Sequence, residues 1–403
     1  MEKRNEHMKN KKRNLLKRIS DFTYYKIWIH ILNNAFFIFP VKKNKVVFDN
    51  FEGRGFGCNP KYIAKALLET KEDVDIVWLL KDLNICMPQG IRCVQYGSWK
   101  AAYELSTAKV WVDNVRSSRK VRKKKSQFYI QTWHGSIGMK KAEQEVEENL
   151  PENYVRAAKH DGKITDLMIS NGKYRTNRFL TCFWYQGDVL ECGFPRNDIL
   201  MNPMVTVRKI VFEKLGVALN KRIALYAPTF RLNSIDKNDP VGIFRFDHEK
   251  IRKALEEKFG GEFVILLRMH PNITDDSRFF DYTDKVINAT EYPDIQELLA
   301  FSDVLITDYS SCMFDAMVAH RAVFLFAKDI DDYIKRERGL LFDFRELPCS
   351  LAEDEDELLE NIHDYSGVQF VRDCDKFFNK IGLYEPGNAS QTVANLIIKR
   401  IKE

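Results

Sequence analysis

The sequence lacks the short signatures that would announce its chemistry. Its 403 residues contain no Walker A pattern, no GxGxxG fingerprint, no GxSxG elbow and no HExxH pair. A P-loop nucleotidase, a dinucleotide enzyme with the usual fingerprint, an α/β-hydrolase and a zincin are thereby excluded in their ordinary forms. The cysteines (58, 86, 93, 182, 192, 312, 349, 374) form no CxxC pair and no His/Cys ligand spacing. That scatter argues against a disulfide framework or structural zinc, and for a reducing, cytoplasmic compartment. Internal repeats and long low-complexity linkers are also missing. The longest apolar stretch, "FTYYKIWIHILNNAFFIF" (22–39), is broken by Lys26, His30, Asn33 and Asn34, so it makes a poor membrane span. It also lacks the cleavage site of a secretory signal.

What is present is a large, well-packed chain. Hydrophobic residues make up 45% and aromatics 12%, too many for a disordered protein. The length predicts two domains, each of roughly 150–200 residues. The net charge of +6 is unevenly spread: eight of the first eighteen residues and seven of the ten from Arg116 to Lys125 are Lys or Arg. Such runs favour anionic partners: membrane headgroups, nucleic acid or a phosphate-bearing polymer. Within 22–39, Ile27, Trp28, Ile31, Leu32, Ala35, Phe36 and Phe39 share one helical face. Behind a basic run, this reads as a helix lying in the membrane interface; a core-packing helix with a solvated basic tail is the alternative.

From Lys45 onward, short apolar runs alternate with helical stretches. The first series is "KVVFD" (45–49), "VDIVWLL" (74–80), "KVWVDN" (109–114), "FYIQTW" (128–133), "DLMIS" (166–170) and "VLECG" (189–193). The second is "RIALYAPTF" (222–230), "FVILLRMH" (263–270), "KVINAT" (285–290), "DVLITDYSS" (303–311) and "AVFLFA" (322–327). Alternation of this kind implies βαβ units and parallel sheets, hence an α/β fold of two Rossmann-like domains facing a cleft. The expected divisions are 1–44 (membrane-associating segment), 45–205, 206–375 and 376–403, the last a helix packing back across the domains.

Ligands of open parallel sheets bind beyond the carboxyl ends of the strands. Four strands end there in polar groups suited to phosphate. His134 follows the strand at 128–133 in "QTWHGSIGMKK", with Gly135 and Ser136 after it. Thr229 and Arg231 follow in "YAPTFR", Arg268 and His270 in "RMHP", and Asp308, Ser310 and Ser311 in "TDYSS". Two hydroxyls before a helix can cradle a pyrophosphate or serve as an ordinary N-cap. A strand-end histidine can likewise be a proton acceptor or a satisfied cap. The glycine-rich "FEGRGFGCNP" (51–60), with Gly53 and Arg54, lets backbone approach a substrate closely. "CGFPRND" (192–198) reads as a structural turn between the domains, and Asp315 as a brace.

Taken together, "QTWHGSIGMK", "YAPTFR", "RMHP" and "TDYSSCMFD", in that order, resemble the CDP-glycerol glycerophosphotransferase family of teichoic acid and capsule biosynthesis. The resemblance spans about 45 to 395. It implies a GT-B architecture attached peripherally to the cytoplasmic face of the membrane. It implies transfer of a polyol phosphate from CDP-glycerol to a hydroxyl of a lipid-linked acceptor, with release of CMP. It further implies His134 as catalytic base on an acceptor side that includes Gly53, Arg54, Gly135 and Ser136. His270 would act from the other domain, with Thr229, Arg231, Arg268, Asp308, Ser310, Ser311 and Ser390 on the donor. No cofactor, metal site or nucleic-acid partner is implied, although a loosely held Mg²⁺ on the pyrophosphate stays open. Two departures stand out: no proline follows the Ser136 position, and Gln391 in "PGNASQT" (386–392) replaces a glutamate. CDP-ribitol therefore stays open as donor. The rivals are a nucleotide-sugar GT-B glycosyltransferase and a non-catalytic binder of membranes or nucleic acid.

Overall fold

The computed structural model describes residue 31 and residues 34–116, 121–229, 242–269, 281–336 and 339–403. Most of the 1–44 segment, including Ile27 and Trp28, lies outside the described residues, as do Arg231 and His270.

Two all-parallel sheets organise the chain. The first holds β1 (Lys42–Phe48), β2 (Asp75–Leu80), β3 (Ile91–Gln95), β4 (Ala108–Asp113), β5 (Phe128–Gln131), β6 (Leu167–Ser170) and β7 (Asp188–Glu191). Their spatial order is β3-β2-β1-β4-β5-β6-β7. The second holds β8 (Arg222–Tyr226), β9 (Phe263–Leu267), β10 (Val286–Asn288), β11 (Val304–Thr307), β12 (Ala322–Phe326) and β13 (Ser350–Ala352), ordered β10-β9-β8-β11-β12-β13. Every residue of β9 and β12 is buried, because crossover helices cover both faces of a parallel sheet and no solvent-facing alternation survives. Each sheet reverses its strand order once, between β1 and β4 and between β8 and β11. Those reversals are the crevices where open α/β sheets bind ligands.

β3 and β13 were not among the expected strands. Both lie at sheet edges. β3 reads "IRCVQ" with Arg92 and Gln95 exposed, and β13 spans only "SLA". Neither offers the buried apolar run that marks the central strands.

The chain crosses between the halves more than once. The boundary expected at 375/376 falls inside one continuous helix, Gly367–Ile381, whose Phe370 and Cys374 belong to the core of the second sheet. The return crossing lies at 382–388. There Gly382 closes the helix in the left-handed conformation (φ +64°), and Leu383 pairs with Gly172 of the first half. The last helix, Ala389–Lys402, then buries Val393, Ala394, Ile397 and Ile401 with Val46, Phe48 and Val110 of the first sheet and Leu67 of the helix Cys58–Glu69. Asp198 caps this helix by accepting from the N–H groups of Ala389 (3.0 Å) and Ser390 (2.7 Å), where a carboxylate best complements the orphan donors. Among the described residues no helix is long and apolar enough to cross a membrane.

Candidate active site between the two sheets

The loops after β1, β4 and β5 build one corner of the cleft. Asn114, directly after β4, donates its amide to Asn50 Oδ1 (2.8 Å) and accepts from the N–H of Phe51 (2.8 Å). It thereby fixes the glycine-rich loop after β1 across the switch point. The carbonyl of Asn114 lies 2.8 Å from His134 Nδ1. A carbonyl only accepts, so Nδ1 carries the proton and Nε2 is left with its lone pair. The imidazole stacks on Trp133 (4.6 Å between centroids, 27°) and tilts against Phe51 (5.2 Å). Burial, with Arg196 and Arg175 nearby, pulls its pKa down to about 4. His134 is therefore a neutral imidazole at physiological pH, with its ring orientation fixed and the Nε2 lone pair available to accept.

The backbone around this histidine is held under strain. Phe51, Glu52, Cys58 and Trp133 all adopt positive φ between 45° and 60° (47°, 57°, 54° and 56°). Each such conformation costs roughly 1–3 kcal/mol in a residue with a side chain. Compensation comes from Asn59, which donates to the carbonyls of Trp133 (3.0 Å) and Thr132 (3.3 Å). Gly53 is a glycine for a local reason: at φ +82°, an added Cβ would lie 2.8 Å from Tyr96 Cβ. Arg54 projects from the same loop and is exposed. Gly135 follows the histidine without crowding. Ser136 is fully buried and accepts from Asn171 Nδ2 (3.0 Å), so it belongs to the seam between the halves and not to an open surface.

Arg196 joins this corner to the second sheet. Its Nη1 donates to the His134 carbonyl (2.7 Å), its Nη2 to Asp315 Oδ2 (2.6 Å), and its backbone N–H to Asn59 Oδ1 (3.0 Å). Asp315 sits on the helix Cys312–Val318, immediately after Ser310 and Ser311. One guanidinium thus spans from the histidine loop to the helix that begins at the two serines. Lys61 adds a second buried link, reaching Asp294 (2.6 Å) and Glu297 (2.5 Å). The turn "CGFPRND" is structural as expected, but it also fixes the distance between the two chemical halves.

In the second sheet, Asp308 accepts the Thr229 N–H on both oxygens (2.8 and 3.0 Å) and the Tyr309 N–H (2.6 Å). Its carboxylate binds β8 to β11 at the switch point. Ser310 and Ser311 are half-buried beside it. Arg268 donates to the carbonyls of Ala289 (3.2 Å) and Tyr292, and burial lowers its pKa from the ordinary arginine value. It supports the 289–292 loop. Ser390 stands apart from this group: its hydroxyl bonds Asp198 and the Pro195 carbonyl (3.3 Å), at the start of the last helix in the first half. Gln391 is exposed and pairs with Asn395 (2.9 Å). The sequence reading missed Asn114 and Asn59; their only signal is an asparagine directly after a strand and another at the start of a helix.

The family model for CDP-glycerol:poly(glycerophosphate) glycerophosphotransferases matches residues 31–399. The teichoic acid poly(glycerol phosphate) polymerase of Bacillus spizizenii is 30% identical over 96% of this chain and 98% of its own. The corresponding polymerase of Staphylococcus epidermidis is 32% identical over 90% of this chain and 52% of its own, so the chain spans about half of that relative. The solved structure of the wall teichoic acid polymerase TagF matches with a TM-score of 0.81 at 30% identity, covering 98% of both chains. A histidine-to-asparagine variant of TagF soaked with CDPG matches at 0.80 and 28%. The GT-B-like arrangement of two parallel sheets is common to all of them that are solved.

Proposed function

The chain belongs to the CDP-glycerol glycerophosphotransferase family of teichoic acid biosynthesis, and from that membership we propose how its cleft carries out the transfer. A hydroxyl of the acceptor chain enters on the side of the first sheet and gives its proton to His134 Nε2 as its oxygen attacks the β-phosphorus of CDP-glycerol. The new P–O bond forms as the bond from that phosphorus to the bridging oxygen breaks. That oxygen keeps the electron pair and leaves with CMP. In-line phosphoryl transfer asks the protein mainly for position and charge. The leaving charge falls to the second sheet, where Ser310 and Ser311 offer hydroxyls at the β8/β11 switch point. His270 and Arg231 are assigned to the donor on the strength of their motifs alone. Asp308 and Arg268 act by holding the loops, since their described side-chain bonds go to backbone N–H and carbonyl groups, and Thr229 gives its backbone N–H to Asp308.

The observation that carries this reading is the tautomer of His134. Its Nδ1–H is bonded to the Asn114 carbonyl, its Nε2 accepts, and Arg196 ties its backbone to the helix after the two serines. The basic N-terminal runs suit attachment to an anionic membrane surface that carries the lipid-linked acceptor.

The test is CMP release by the purified protein with acceptor-bearing membranes, CDP-glycerol and CDP-ribitol being compared. Release from CDP-glycerol, reduced by about 10²–10⁴-fold in His134→Gln, is the expected result. Preference for CDP-ribitol would change the polyol. Activity that survives His134→Gln would overturn the assignment of the base.

A further inference from the structure

Arg175 is a buried cation that the proposed reaction does not use. It lies in the first turn of the helix Lys173–Cys182, at the carboxyl end of β6, and is only 4% exposed. Among the described residues no carboxylate pairs with it. Its Nη1 makes one long contact to the Ile137 carbonyl (3.5 Å), and its Nε has no partner. Its helical neighbour Arg178, in contrast, is neutralised by Glu145. A buried guanidinium without a counter-ion is costly, and such groups are normally paired.

Its surroundings lead to the histidine. The guanidinium lies over Phe179 (4.5 Å) and Phe183 (5.2 Å). Phe183 meets Trp133 edge-on (4.7 Å, 88°), and Trp133 stacks beneath His134. On the other side, Gly138 is pressed against Nη1; at φ +87°, an added Cβ would come within 3.3 Å of it. The guanidinium therefore underlies both ends of the loop, through the aromatic stack before His134 and through Ile137 and Gly138 after it.

Resting on the assignment of His134 as base, we infer that Arg175 is a positioning residue: an uncompensated positive charge under the 133–138 loop that fixes the Trp133–His134 stack and keeps the imidazole ready to accept a proton. The charged groups around that imidazole agree. Arg196 is paired with Asp315, and Arg116, near Trp133, is neutralised by Glu143 and Asp161. Cys58, beside Arg196, is held protonated by burial. Arg175 is the cation in this group whose field no carboxylate cancels. A nearby cation disfavours imidazolium.

The experiment compares Arg175→Gln and Arg175→Lys in the full-length protein. Two readouts are taken: the pH profile of CMP release and the titration of the His134 imidazole by NMR. In Arg175→Gln, the acid limb and the imidazole titration should both move up by about half to one pH unit, and kcat should fall on the order of tenfold. KM for CDP-glycerol should change less. Arg175→Lys keeps the charge and loses the fork, so the limb should stay while kcat falls. An unmoved imidazole titration in Arg175→Gln would overturn the inference. Should that variant not fold, a displaced limb in Arg175→Lys would do the same. If His134→Gln proves active, the base assignment fails, yet the NMR titration still decides whether Arg175 acts on His134.

Discussion

Replacing Arg196 by methionine should separate what this residue does for the fold from what it does for the reaction. Asp315 is 1% exposed, and burial pushes its carboxyl pKa up even with Arg196 beside it. Removing the guanidinium leaves that carboxylate uncompensated, which costs about 3–5 kcal/mol in a buried pair. Against a typical total of about 5–15 kcal/mol, this is a large loss. It should appear in urea denaturation followed by tryptophan fluorescence. The pH dependence has a definite sign. With Arg196 gone, the folded state holds a proton on Asp315 that the unfolded chain releases above its ordinary value near 4. Stability of the variant then falls as pH rises through that window, so its deficit against the parent narrows on acidification. Asp315→Asn in the Arg196→Met background removes the stranded charge and should restore at least about half of the lost stability. It should not restore CMP release, because the bond to the His134 carbonyl is still missing and a shift of about 1 Å can cost on the order of 10²-fold. A single-variant loss below about 1 kcal/mol, or full activity in the double variant, would refute the reasoning.

Two further outcomes follow from the crossing at 382–388. Glu385 accepts from Phe194 N (3.0 Å), Asn171 Nδ2 (3.0 Å) and Asn197 Nδ2 (2.7 Å), and burial pushes its pKa up to about 8. The folded chain therefore keeps a proton there between about pH 4.3, the ordinary glutamate value, and 8, so its contribution falls as pH rises across that window. Glu385→Gln should flatten this slope, and equal slopes in the denaturation midpoints of the two proteins would count against it. Gly172 has φ +128°, and an added Cβ would meet the Gly382 carbonyl at 2.1 Å. Gly172→Ala should cost on the order of 3 kcal/mol and expose the Lys173 and Tyr384 N–H groups to hydrogen exchange; unchanged protection at both would contradict it.

The two sheets were legible because their central strands are runs of buried aliphatic and aromatic residues, and a run such as "FVILL" has few alternatives. The edge strands β3 and β13 were not, since an edge needs no such run; β7 and β10, also at edges, were. The candidate site was legible only where it took the form of a side chain after a strand. His134, Ser310 and Asp308 carry that signal; Asp308 carries it equally well although its described bonds serve backbone N–H groups. Residue type and place cannot separate a ligand-binding carboxylate from one that clamps two strands. Arg196 was read only as part of a structural turn and Arg175 not at all, for the opposite reason: their roles depend on which partners the folded chain brings, and one finds Asp315 while the other finds no carboxylate among the described residues. The crossing at 382–388 was misjudged because helix 367–381 and helix 389–402 are both amphipathic, and periodicity does not say which sheet each face meets.

The choice of a carbonyl in place of a carboxylate behind His134 bears on how such a base can work. A carboxylate at Nδ1 would fix the same tautomer, but it would also stabilise imidazolium and raise the pKa. The Asn114 carbonyl orients the ring with no full charge, and the adjacent arginines press the equilibrium toward neutral imidazole. In the free protein the histidine is then a weak base, reliably unprotonated. On the mechanism proposed above, substrate would change this balance. A diphosphate bound near these arginines would offset their field and make the imidazole more basic. The proposed proton acceptor would then gain strength when the group to be attacked is in place. A carboxylate-backed histidine would be strongly basic whether or not a donor were bound, and would be partly protonated before an acceptor hydroxyl arrived. Neutral orientation with cationic surroundings therefore suits an enzyme whose substrates are themselves anions.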